Sequence, residues 1–206
     1  MPPMVWNQDP NSVLNSFHSR NGVSDLSSLV MWAVWSAEGL CFLDDQDATL
    51  QVNYPTFVNG HHPDVIDIAH ARWATGTSIT ALDLCAAALG RHYCGVNREP
   101  DLDLRRFSAT NPNNSSRRRA LPSALRAWND TVQSDACYIE LHSARNKFTH
   151  SWLNRNIHRL SSGHASRSQF TNVNTGQIHG ARQLVIESRA LACRHVNAFL
   201  ATIDTV

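Results

Sequence analysis

Lysine is nearly absent from this chain, which carries a single one, Lys147, among 18 basic residues. Arginine makes up the rest. Its planar guanidinium favours bidentate contact with phosphate oxygens, although a biased genomic base composition would give the same excess. Cysteine is also scarce. Cys41, Cys85, Cys94, Cys137 and Cys193 are odd in number, widely spaced and form no C-x-x-C pair, so they read as reduced core residues and not as a disulfide framework. There is no H-E-x-x-H, no glycine-rich phosphate loop and no G-x-S-x-G elbow, which leaves zinc-protease, nucleotide-hydrolysing and esterase chemistry without support. No repeat is found. The most apolar run, residues 29 to 43, is interrupted by Glu38. It is shorter than the ~20 residues of a bilayer span, and it lacks the basic flank and the position of a signal peptide. It predicts a buried helix, no membrane, and a cytoplasmic protein.

What is present is a globular composition, 42% hydrophobic and 17% charged over 206 residues, enough for one domain with a single core. The net charge of +1 hides a division along the chain. Residues 1 to 104 hold 4 Arg against 12 acids, a balance of −8, and residues 105 to 206 hold 14 Arg and Lys against 5 acids, a balance of +9. The second half is therefore a candidate phosphate surface, unless folding brings the halves together and neutralises them.

Four helical stretches are expected. The first starts at Ser24, a good N-cap, and runs to about Leu43. Residues 46 to 60 alternate briefly at Leu50, Val52 and Tyr54, as a strand or an extended loop would. The second helix opens at Pro63 and runs towards Tyr93, with Ile79, Leu82 and Leu89 at helical intervals. Residues 95 to 120 read as a solvated loop, and they and the N-terminal residues 1 to 23 are expected to order poorly. The third region spans Pro122 to about Ile157 with a break near Ser134. A polar connection from Ser161 to Gly180 leads to a last helix over Ala181 to Ile203. The expected fold is mostly α, a single-domain up-and-down bundle of four or more helices with long polar loops.

The third region carries the chemistry. Tyr138, Leu141, Phe148 and Trp152 follow one helical face, and Arg145 sits in the gap of that apolar series. A guanidinium there needs a partner, because an unpaired charge against a core is costly. Asp83 and Glu38, which interrupt apolar helical runs, are the acids available for a purely structural pairing. Asn146 and His150 are four residues apart and share a stripe, and Arg145 is long enough to reach them. Among the eleven histidines, His61 with His62, or His142 with His150, are the only metal-ligand candidates. Neither pair has the spacing of a closed site, so no metal and no cofactor are expected.

Arg145-Asn146-Lys147-Phe148-Thr149-His150 resembles the R-x(4-6)-H signature of the HEPN superfamily, in which Asn, Asp or His commonly follows the arginine. Trp128 and Tyr138 upstream and the closing helix with Val185, Leu191 and Phe199 fit that family's C-terminal half, so the resemblance spans residues 121 to 203. It implies a helical bundle and metal-independent RNA cleavage in a cleft between two protomers, with Arg145, Asn146 and His150 catalytic and Lys147, Arg155 and Arg159 extending the track for RNA. It also implies a toxin or defence role, RNA as ligand, a homodimer, and an antitoxin or nucleotidyltransferase-like protein as partner. Exposed Trp32, Trp35 and Trp152 would add to dimerisation. The alternative is a non-catalytic HEPN-like module that binds RNA, a nucleotide or a protein.

Overall fold

The computed structural model describes residues 6–22, 26–53, 63–95, 103–110, 113, 115–150, 157–159, 168–171, 176 and 178–206. The side chains at 46–53, 63–68, 147–150, 157–159 and 168–171 fall outside that description. The described residues form a helical bundle. Its helices are α1 (Pro10–Asn21), α2 (Leu26–Asn53), α3 (Pro63–Cys94), α4 (Ser115–Ala120), α5 (Ser123–Ser134), α6 (Ala136–His150) and α7 (Ala181–Ile203).

Local sequence explains several boundaries. Asp9 caps α1 by accepting from the Asn11 and Ser12 N–H groups, Pro10 opens it, and Gly22 closes it at φ 79°, a conformation that costs glycine little. Asp135 separates α5 from α6 and accepts the Cys137 N–H at 2.8 Å, so the expected break near Ser134 is a change of helix with its own cap. Pro63 and Ala181 begin α3 and α7 where the periodicity predicts.

The core is made by α3, which packs against α2, α6 and α7. Leu26, Val30 and Leu40 of α2, Ile79, Leu82 and Leu89 of α3, and Leu184, Leu191 and Phe199 of α7 are buried together. Trp128 of α5 lies against Phe199, with ring centroids 4.8 Å apart, and its indole donates to the His195 carbonyl at 3.0 Å.

The structure differs from the sequence expectations in several places. Within the N-terminal residues expected to order poorly, Pro10–Asn21 form the capped helix α1 and bury Val13, Leu14 and Phe17. The helix expected to stop near Leu43 continues to Asn53, so the alternation at Leu50, Val52 and Tyr54 marks no strand over residues 46–53. The run at 29–43 is not wholly buried, since Trp32, Trp35 and Phe42 are exposed. The window Leu26–Asp45 passes the length and hydropathy test for a membrane span and is 33% buried. Within residues 95 to 120, a 3₁₀ turn at Leu104–Phe107 buries Leu104 and Phe107 in the core. The polar connection before α7 contains a small antiparallel sheet, β1 (Ile157–Arg159), β2 (Ser168–Thr171) and β3 (Ile178–Gly180), in the order β1-β2-β3.

Folding also mixes the two charge halves. Asp44 of α2, 1% exposed, is held by Arg182 and by Arg189 at 2.8 Å, both from α7. Arg145 meets Asp83. Part of the C-terminal positive balance is thus spent against N-terminal acids.

Candidate functional site

The middle of α6 faces α3 and the 3₁₀ turn. Arg145 extends from α6 to Asp83 of α3, Nη1 to Oδ2 3.6 Å. The Leu104 N–H donates to the other Asp83 oxygen at 3.2 Å. Burial pushes the Asp83 carboxyl up to about 6, against the pull of that N–H and of Arg145. Asp83 therefore titrates near the lower edge of the physiological range. Of the two acids that the sequence offered for Arg145, Asp83 is the one used. Glu38 accepts the Trp6 indole N–H at 2.9 Å instead.

One turn before Asn146, His142 lies with its Nδ1 3.4 Å from the Asn146 amide nitrogen. Burial lowers the His142 pKa, and the nearby Arg105 and Arg145 guanidiniums lower it further. Both effects favour the neutral ring, whose Nδ1 can accept from the Asn146 amide in the tautomer that carries its proton on Nε2. Tyr138, a turn earlier, stacks obliquely on His142 at 5.6 Å. Its buried hydroxyl has no hydrogen-bond partner among the described residues, and burial and Asp83 push its pKa up. Arg105, held by Asp103 at 3.0 Å, completes a cluster of alternating charge around the His142 imidazole.

Arg145 also lines a groove of about 340 Å³ between α2 and α3, with Ser36, Arg72, Trp73, Gly76 and Thr77. That volume is within the ~300–1,000 Å³ of small-ligand clefts. Of the residues expected to act together, Arg145 and Asn146 sit side by side on α6. The backbones of Lys147 and His150 belong to α6, and their side chains lie outside the described residues. Arg155 and Trp152 also lie outside them. Arg159 is in strand β1, opposite Ser168, and not in a helix.

His142, Tyr138 and Arg105 are the site residues that the sequence reading did not assign to this cluster. The spacing of His142, Asn146 and His150, four and four, held the signal for the first of them. Arg105 arrives only through the 3₁₀ turn, which has no periodicity to read. For the metal reading, His61 and His62 are outside the described residues. Among the described residues no group of three His, Cys, Asp or Glu side chains is placed to hold an ion. No family model, curated protein or solved structure matches the chain. Nothing in these comparisons identifies a HEPN domain.

Proposed function

We propose that this chain is a HEPN-like, metal-independent endoribonuclease of the toxin or defence type, with its site on the second half of α6. The observation that supports it is that Arg145, which lines an open groove, stands beside Asn146 on α6, with the His142 imidazole one turn before Asn146. Cleavage by the RNA's own 2′-hydroxyl needs three things. The 2′-oxygen must lose its proton as it attacks phosphorus, the phosphate charge must be held, and the departing 5′-oxygen must be protonated. Arg145 meets the phosphate oxygens, His150 exchanges the proton near neutral pH, and Asn146 orients the reacting groups. Lys147, Arg155 and Arg159 carry the flanking backbone, a contribution that weakens as salt rises. RNA is the ligand, a second copy supplies the facing wall, and an antitoxin or nucleotidyltransferase-like protein is the natural restraint. The test is cleavage of an unstructured RNA in excess chelator. Arg145→Ala and His150→Ala each abolish it on this account, and activity unchanged in both removes α6 as the site.

The Arg145–Asp83 contact at 3.6 Å favours a second reading, a non-catalytic HEPN-like module in which Arg145 serves the fold. RNA binding that persists in His150→Ala and is lost when Arg155 and Arg159 are both replaced by Ala would select it.

A further inference from the structure

Four large aromatic side chains of α2 and α3 lie outside the core. Trp32 and Trp73 are 57% and 60% exposed, and Trp35 and Phe42 are exposed beside them. Trp32 and Trp35 meet edge to face at 5.2 Å, which holds two indole faces at right angles. A second groove, about 510 Å³, runs between these rings. It shares Ser36, Trp73 and Thr77 with the groove that Arg145 lines, so the two adjoin on one face, the exposed rings lining the larger part of this α2–α3 channel and Arg72 and Arg145 the smaller.

The channel is bounded by small residues, Ser36, Gly39, Gly76 and Thr77. A Cβ placed on Gly39 or Gly76 would meet nothing within 4 Å. Flat rings can thus reach the helix backbones between the indoles. In the smaller part stand Arg72, next in sequence to Trp73, and Arg145, whose side chain is 35% exposed while in contact with Asp83. A ligand that matches both parts presents unstacked aromatic faces joined by anions. A purely apolar protein surface would cover the indoles and leave the arginines unmatched.

We propose that this α2–α3 channel takes the unpaired bases of single-stranded RNA, which stack on Trp32, Trp35 and Trp73 while Arg72 and Arg145 meet the adjoining phosphates. The proposal rests on RNA being the ligand, as read above, and adds that the RNA must be unpaired, because a duplex hides its base faces.

The experiment titrates a short unstructured 2′-O-methyl RNA, which 2′-hydroxyl attack cannot cut, and separately a fully paired hairpin closed by a non-nucleotide linker, into the chain, reading tryptophan fluorescence and RNA anisotropy. Gly76→Leu fills the channel from a position with open space, and leucine suits a helix better than glycine, so this variant keeps its fold. Trp73→Ala removes a stacking face. The expected result is quenching by the unstructured RNA, little response to the hairpin, and roughly tenfold weaker binding in each variant. Equal binding of the hairpin, or unchanged affinity in Gly76→Leu and Trp73→Ala, overturns the proposal. So does a light-scattering mass of two chains in wild type that falls to one in Gly76→Leu, which would assign the channel to a second copy. Channel-dependent binding without cleavage of unmodified RNA by wild type refutes the nuclease reading and leaves this inference standing. Cleavage that is lost in His150→Ala but unaffected by Gly76→Leu does the reverse.

Discussion

At Asp83 burial and an ion pair pull in opposite directions, and burial wins, which places the carboxyl at about 6 against an ordinary 3.8. Between those values the folded chain holds more protons than the unfolded one. Stability from this group is therefore greatest below about pH 4 and is lost as pH rises through 6, by about 3 kcal/mol. Asp83→Asn keeps an acceptor for the Leu104 N–H and removes the titration. Urea denaturation should show it more stable than wild type at pH 7, with a flatter profile between pH 4 and 6, and an unaltered profile would mean that Asp83 is solvated. Protonation of Asp83 also removes the counter-charge from Arg145, so RNA affinity should rise as pH falls through 6 in wild type and lose that component in Asp83→Asn. The groups facing Asp83 are Arg145, Tyr138, Arg105 and Asp103. His142, beside Arg145, titrates below its ordinary range, so the two effects separate on the pH axis only in the Asp83 variant. Much of this was readable in the sequence. A lone arginine in an apolar helical face requires an acid, and Asp83 interrupts another such face. The choice of Asp83 over Glu38 was not readable, because it depends on how α3 and α6 pack.

Between elements, two polar anchors fix the parts around the site. His179 of β3 is buried against Glu140 of α6 at 2.8 Å, with Glu187 of α7 at 3.7 Å on its other nitrogen. This joins the small sheet to the bundle. His179→Ala takes the imidazole away from a buried carboxylate, and thermal unfolding should show a loss of about 1–3 kcal/mol. No loss would mean that the sheet is held by other contacts. Asp44, buried between Arg182 and Arg189, ties α2 to α7. Asp44→Ala should cost about 3–5 kcal/mol, as removing one partner of a buried ion pair does, measured by urea denaturation with an Arg189→Ala variant for comparison. The ends of α3 and α7 were legible because Pro63, Gly180 and the apolar periodicity mark them. The sheet was not. Its strands Ser168–Thr171 and Ile178–Gly180 are too short and polar to show alternation.

Over the whole molecule, the segregation of charge along the sequence does not survive folding intact. Arg145, Arg182 and Arg189 meet acids from the first half. The cationic surface left for the proposed RNA ligand is narrower than a balance of +9 over residues 105 to 206 implies. The dependence of RNA affinity on salt should accordingly reflect a few phosphate contacts and not the whole C-terminal excess. A steep slope, of ten or so contacts, would show that the internal pairs open on binding. Composition and periodicity made the helical architecture legible because a bundle is written in local pattern. The exposed indoles of α2 were less so, since an apolar run reads the same whether its second face meets protein or ligand. The measurement that tests the α6 site most directly is the chain's action, in excess chelator, on an unstructured RNA and on the same strand with every 2′-hydroxyl replaced by hydrogen. Metal-free cleavage of the RNA to 2′,3′-cyclic phosphate and 5′-hydroxyl ends, with the deoxy strand intact and Arg145→Ala inactive, is the predicted result. Cleavage of both strands, or full activity in Arg145→Ala, would contradict it.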